Sequence, residues 1–218
     1  MEDMSFLLRV SLPDVPGSLG AVATALGAAG ADIEAIEIVE RRGDGTVVDD
    51  VLLQLPTSVM PDALVTACHA VDGVSVEWIS RYAAGASLTM DLETVEAFTA
   101  EPARAIARMV ELLPGTFRTD WAIAVTPGGD GVQVLAASAT APEPVAPDLA
   151  DWLKVEAPGP LPDVAAWDAT VLIGAPARRG SDGESFVVVL GRRGGPDFLA
   201  SEIARLGHMV ALAASVQS

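Results

Sequence analysis

Four apolar residues at every second position, Phe6, Leu8, Val10 and Leu12, run straight into Asp14-Val15-Pro16-Gly17-Ser18-Leu19. Beyond that stretch the apolar spacing changes from two to about three and a half, with Leu19, Val22, Ala23 and Leu26 on one stripe. A strand therefore enters the turn and a helix leaves it. Pro16 sets one φ angle, and Gly17 permits an approach of backbone or ligand that a Cβ would block. Ser18 is expected to cap the helix, leaving backbone N–H groups open in its first turn, where a carboxylate can be held. The same Pro-Gly chemistry also serves as a bare connection between strand and helix.

The residues from Gly30 to Ser80 give the turn its setting. Gly30 is placed to end the helix, and Ile33 to Glu40 reads as a second strand. Gly43-Asp44-Gly45 is a hairpin signal before a third strand from Val47 to Leu55. Pro61 opens a second helix with Leu64, Val65, Cys68 and Val71 inward, and Val74, Val76, Trp78 and Ser80 alternate as a fourth strand. Val48, Asp50, Leu52 and Gln54 share one half-polar face, as do Arg9 and Ser11, so the expected sheet has one helix-covered face and one wet face. Asp49 and Asp50 point to opposite faces, which argues against a metal pair. Cys68 and His69 do not share a helix face, which favours a small buried thiol over a catalytic dyad.

The order is βαββαβ over residues 5 to 82, a split-βαβ plan. With Asp14-x-Pro16-Gly17-x-Leu19 at its first turn, this stretch resembles an ACT domain, the small ferredoxin-like module that binds amino acids and regulates. The resemblance implies a free amino acid as ligand, usually held between paired domains, and hence a homodimer. It places the site at Asp14, Val15, Pro16, Gly17, Ser18 and Leu19, with Asp14 facing the ammonium group. Asp32 and Ile33 at the start of the second strand would wall it, from the same subunit or its partner.

Ala83 to Ser87 is a small-residue stretch and the expected boundary, giving domains of 1–84 and 85–218. Leu92, Val95 and Phe98 mark one helix. Pro102 opens another, carrying Ile106, Met109, Val110 and Leu113. Trp121 to Val125 and Val132 to Ala136 read as strands, as do Ala169 to Ala175 and Ser185 to Leu190. Between these pairs lies an irregular, proline-rich segment from Ala141 to Trp167, expected to cover a pocket on the sheet. A closing helix runs from about Asp197. This layout over residues 88 to 216 resembles a GAF-like sensory domain, most closely from Val171 to Leu212, and it implies a fold rather than a ligand. The fold class expected for the whole chain is α+β, two domains with antiparallel sheets.

Thirteen basic residues against thirty acidic ones give a net charge of −17, which argues against nucleic acid and anionic membrane surfaces as partners. No apolar run is long enough to span a bilayer, and Met1-Glu2-Asp3-Met4 lacks the basic start of a signal peptide. One cysteine cannot form an internal disulfide, which fits a reducing cytoplasm. Cys68, His69 and His208 are too few and too scattered for a zinc site, and no phosphate-binding glycine loop or nucleophile elbow is present. Arg192-Arg193-Gly194-Gly195 before the last helix could hold an anion, or be a plain charged loop. No cofactor is expected. The reading is a non-enzymatic regulatory protein that senses a small ligand and acts on an unknown protein partner in trans. Its rivals are a dimeric adaptor that binds no ligand and an enzyme using carboxylates in the second domain.

Overall fold

A computed structural model describes residues 3–81, 87–129, 131–143, 150–164, 167, 169–179 and 183–217. The chain divides into two compact units, Met1–Ala86 and Ser87–Ser218. The expected boundary stretch falls almost wholly on residues 82–86, outside the described residues. Both units are α+β with antiparallel sheets.

In the first unit, β1 (Asp3–Pro13), α1 (Ser18–Ala28), β2 (Asp32–Arg41), β3 (Thr46–Pro56), α2 (Asp62–His69) and β4 (Ser75–Arg81) come in order. The sheet order is β2-β3-β1-β4. Long β1 and β3 lie at the centre, paired from Asp3↔Pro56 to Pro13↔Thr46. Phe6, Leu8, Val10 and Leu12 meet Val47, Val51, Leu53 and Leu55 on one face, under Val22 and Leu26 of α1 and Leu64 and Cys68 of α2. Each of these side chains removes most of its apolar surface from water, worth about 1.5–3 kcal/mol for a Val, Leu, Ile or Phe.

The opposite face is not wet. Leu7 is 1% exposed, Arg9 2%, Val48 0% and Asp50 6%. Strand register brings Arg9 beside Asp50, and Arg9 Nε and Nη2 donate to Asp50 Oδ1 and Oδ2 at 2.7 and 2.9 Å. A two-pronged guanidinium–carboxylate pair of this kind satisfies both charges without water. The alternation of polar residues therefore marks partners in an ion pair and not a solvated surface.

Residues on β2 change phase twice. Register slips occur between Ile33 and Ala35 and between Ile38 and Glu40. Because of the second, both Ile38 and Arg41 lie on the helix-side face, opposite Asp49 and Val47 respectively. In an unbroken strand two residues three apart would point to opposite faces.

The second unit runs α3 (Ser87–Thr99), a 3₁₀ turn at Pro102–Arg104, α4 (Ala105–Phe117), β5 (Trp121–Gly128), β6 (Gly131–Ala137), β7 (Gly159–Pro160), β8 (Thr170–Arg178), β9 (Ser185–Arg193) and α5 (Ala200–Val216). The sheet order is β6-β5-β9-β8-β7, antiparallel at every pairing. Ala122, Ala124, Ile173, Ala175, Phe186, Val188 and Leu190 pack under Phe98, α4 and α5. Phe98 is buried as expected, but Leu92, expected with it to mark α3, is 63% exposed, and Thr94 is buried in its place. Thr94 and Thr116 share a buried 2.9 Å hydroxyl contact.

The other sheet face carries Trp121, Ile123, Val125, Leu172, Val187 and Val189. Trp152, Leu161 and Val164 from the irregular segment pack directly on it. Trp152 is 1% exposed, and its ring centroid lies 6.5 Å from that of Trp121 and 5.6 Å from that of Trp167. The described residues of that segment thus serve as the second core of the unit, where a lid over a pocket was expected; its residues 144–149, 165 and 166 lie outside the described ones.

Candidate functional site

The turn after β1 is built largely by its own backbone. Asp14 N–H donates to Gly45 O at 2.9 Å, tying the turn to the β2–β3 hairpin. Val15 N–H donates to Pro13 O, and Ser18 N–H to Val15 O at 3.2 Å. Gly17 is the N-cap of α1, with φ 97° and ψ −18°. The cap expected at Ser18 falls one residue earlier, and no side chain closes the helix end. The left-handed conformation explains the glycine: a Cβ at Gly17 would meet nothing within 4 Å, so backbone strain and not crowding excludes other residues.

With Ser18 N–H engaged, Leu19 and Gly20 carry the first-turn amides that helix geometry leaves without an intrahelical acceptor. No acidic residue occupies the first turn of α1 to offset its positive end. Asp14 to Gly17 are exposed, Val15 by 59%. Beside them Arg41 Nη1 donates to Asp14 Oδ2 at 2.6 Å, with side chains 61% and 48% exposed. One cation, one carboxylate and the open amides of a helix therefore sit together at the surface.

Below this pair is a residue that sequence patterning left unused. Asp49 is 1% exposed, on the face of β3 that packs under α1, and its Oδ1 has no hydrogen-bond partner. Burial raises its pKa, Arg41 counteracts the rise, and Asp14 and Asp50 add to it. Its one legible signal was a carboxylate on an otherwise apolar face.

Asp32 and Ile33 are elsewhere. They pair with Gln54 and Leu53, whereas the turn adjoins the end where Pro13 pairs with Thr46. The six strand steps from Leu53 to Val47 correspond to about 20 Å. Helix α1 carries the chain back across the sheet before β2 begins, so these residues do not join Asp14–Leu19 within one chain. Only a second copy could bring them to the turn.

The second unit's charged loops are engaged internally. Arg192 turns inward, 2% exposed, and its Nη2 donates to Glu202 Oε1 at 2.7 Å and to Phe117 O at 2.9 Å. Arg193 N–H donates to Asp120 Oδ2, and Arg179 pairs with Glu184. Cys68 is buried, and desolvation pushes its thiol up to about 11. Among the described residues no group of three or more His, Cys, Asp or Glu could hold a metal ion, and no helix is long and apolar enough to cross a membrane.

Residues 6–56 match the family model of the ACT domain. The first unit carries an ACT domain. Its matched stretch spans β1, the turn, α1, β2 and β3. Similar solved structures include the GAF domain of an Acinetobacter phosphoenolpyruvate-protein phosphotransferase, at 14% identity and TM-score 0.45, covering 59% of this chain and 92% of that one. The GAF domain of a protein described as a sensor histidine kinase, from Pseudomonas syringae pv. tomato, is 16% identical with TM-score 0.41, over 59% of this chain and 83% of that one. A protein described as a glycine cleavage system transcriptional repressor is 8% identical with TM-score 0.30, over 96% and 91%. None of these TM-scores reaches 0.5. No curated protein matches the chain.

Proposed function

We propose that this chain is a regulatory protein whose ACT domain binds a free amino acid at the turn between β1 and α1 and which acts on a partner protein in trans. The observation that carries the reading is the exposed Asp14–Arg41 pair beside the uncapped N-terminus of α1. A zwitterion is complementary to this arrangement. Its carboxylate meets the amides of Leu19 and Gly20 at the positive helix end, and its ammonium group takes Asp14. Solvent-exposed residues Asp14 to Gly17 favour a ligand over a turn sealed for dimerisation alone.

A homodimer accompanies the same reading. Strands β2 and β4 are edges of the sheet, and unprotected edges tend to be paired or covered. In a dimer, Asp32 and Ile33 of one copy would wall the turn of the other. Sedimentation at micromolar concentration tests this, and a monomer removes those two residues from the site.

Thermal-shift measurements with the twenty amino acids select the ligand, and isothermal titration on wild type and Asp14→Ala tests the site. Loss of a charge-assisted hydrogen bond of about 1.5–3 kcal/mol weakens binding roughly ten- to a hundredfold. Folding stability changes by less than about 1 kcal/mol, because exposed ion pairs contribute little. Equal affinity in both proteins places the ligand elsewhere. Absence of heat with every amino acid returns the adaptor reading to the front.

A further inference from the structure

Arg41 has two carboxylates within reach and engages one of them. It is hydrogen-bonded to exposed Asp14 at 2.6 Å. Its pairing position on β3 is Val47, and Asp49 lies two residues along on the same face. Such diagonal neighbours have Cβ atoms roughly 7 Å apart, within the span of a long side chain. The phase change between Ile38 and Glu40 is what turns Arg41 to this face. Asp49, for its part, is buried with an oxygen that nothing contacts by hydrogen bond. A buried carboxyl in that state costs stability unless a donor reaches it.

We propose that Asp49 is the second seat of Arg41, so that a ligand ammonium group arriving at Asp14 releases Arg41 onto Asp49. The proposal rests on the amino-acid reading for the identity of the trigger, but the two-seat arrangement stands without it. Arg41 is the last residue of β2 and pairs with Val47 at the hairpin end of that edge strand. Its movement therefore carries ligand occupancy from the turn to a sheet edge available to a partner.

The surroundings of Asp49 leave Arg41 as the donor in place. Facing it are Val10 on β1 and Ile38 on β2, both apolar. Helix α1, Ser18–Ala28, contains no charged side chain. Helix α2 brings Leu64 and Cys68 to the same core, with Asp62 and His69 at its two ends. Asp14 lies on the turn, and Asp50 is committed to Arg9 on the other face. Burial holds the Asp49 carboxyl above the usual carboxylate range, Arg41 favours its charged form and Asp14 and Asp50 oppose it, so transfer of Arg41 lowers its titration midpoint.

The test is a double-mutant cycle read by carboxyl NMR titration of Asp49 in the full chain, in the absence of ligand. Arg41→Gln is made in wild type and in Asp14→Ala. Removing Asp14 imitates its capture, so Arg41→Gln is expected to raise the Asp49 titration midpoint more in the Asp14→Ala background than in wild type. Equal shifts in the two backgrounds overturn the proposal. A second arm uses the amino acid giving the largest thermal shift, titrated into wild type and Asp49→Asn. Expected there is a loss of affinity of about two- to tenfold, the value of one hydrogen bond. Unchanged affinity in Asp49→Asn also overturns it. Should no amino acid bind wild type while the cycle shows coupling, the amino-acid reading fails and the second seat of Arg41 stands.

Discussion

Replacing Arg192 by methionine is expected to destabilise the second unit by about 3–5 kcal/mol, the usual cost of stripping one partner from a buried ion pair. Arg192 joins three elements. Its Nη2 donates to Glu202 Oε1 near the start of α5 and to Phe117 O at the end of α4, and Nε donates to Arg118 O at 3.4 Å. Nη1 reaches Pro196 O at 3.3 Å, and the guanidinium lies 4.0 Å from the Phe198 ring centroid. Methionine retains the apolar stem but takes the Arg192 guanidinium away from the Glu202 carboxylate, which is 8% exposed. It also removes a donor from the last carbonyls of α4, where Arg118 caps the helix at φ 51°. Glu202 keeps a second task, accepting the Leu199 N–H at 2.8 Å at the N-terminus of α5. Glutamine at 202 preserves that acceptor without the charge. The double variant Arg192→Met/Glu202→Gln should therefore recover a large part of the loss. Urea unfolding followed by tryptophan fluorescence reads chiefly this unit, since Trp121, Trp152 and Trp167 belong to it and only Trp78 to the other. With a urea slope of about 2 kcal/mol per molar, the single variant moves the midpoint down by about 1.5–2.5 M. A midpoint within about 0.5 M of wild type would refute the reasoning, as would a double variant no more stable than the single one.

Two further outcomes are expected from burial and from the division of the chain. Cys68, with its thiol pushed up to about 11 by desolvation, should resist a thiol reagent in the native protein at pH 8 and react fully in 6 M guanidinium, about the strength used to unfold stable domains; prompt native labelling would contradict the packing of α2 on the sheet. A fragment of residues 1–84 should fold by itself, giving dispersed NMR amide signals and a cooperative thermal transition, and a disordered fragment would mean that the boundary is misplaced or that the units share one core.

The strand–turn–helix entry and the β2–β3 hairpin were legible in the sequence because each rests on local chemistry. Alternation marked β1, glycine and proline marked the turn, and Gly43-Asp44-Gly45 marked the hairpin. Where the outcome depended on pairing between distant residues, the same rules failed. Polar Arg9 and Asp50 implied solvent, yet they are 41 positions apart in the chain and meet only through strand register. Arg41 and Asp49 share a face only because β2 slips phase between Ile38 and Glu40, which alternation does not reveal. Asp32 and Ile33 were placed at the turn by the family resemblance, from the same subunit or its partner; an 11-residue helix spans about 16 Å and carries them to the far end of their own sheet, which leaves the partner arrangement. Trp152 and Trp167 in an irregular segment were equally compatible with a lid and a plug, since composition does not say whether a cavity lies beneath.

The order β6-β5-β9-β8-β7 has a kinetic consequence. Strand β9, the central one, is the last strand among the described residues, and β5 must wait from Val125 to Val187 for its partner on that side. During synthesis at about 5–20 residues per second, the 61 intervening positions take roughly 3–12 s. Over that interval β5 presents an unpaired edge bearing Trp121, Ile123 and Val125, the residues most apt to pair with a neighbouring chain. The first unit closes much earlier, because β4 completes its sheet by Arg81. The nascent chain thus emerges with its ACT-domain half able to fold while its tryptophan-rich half remains exposed to aggregation, and slow, long-range pairing makes that second half the vulnerable step in producing the protein.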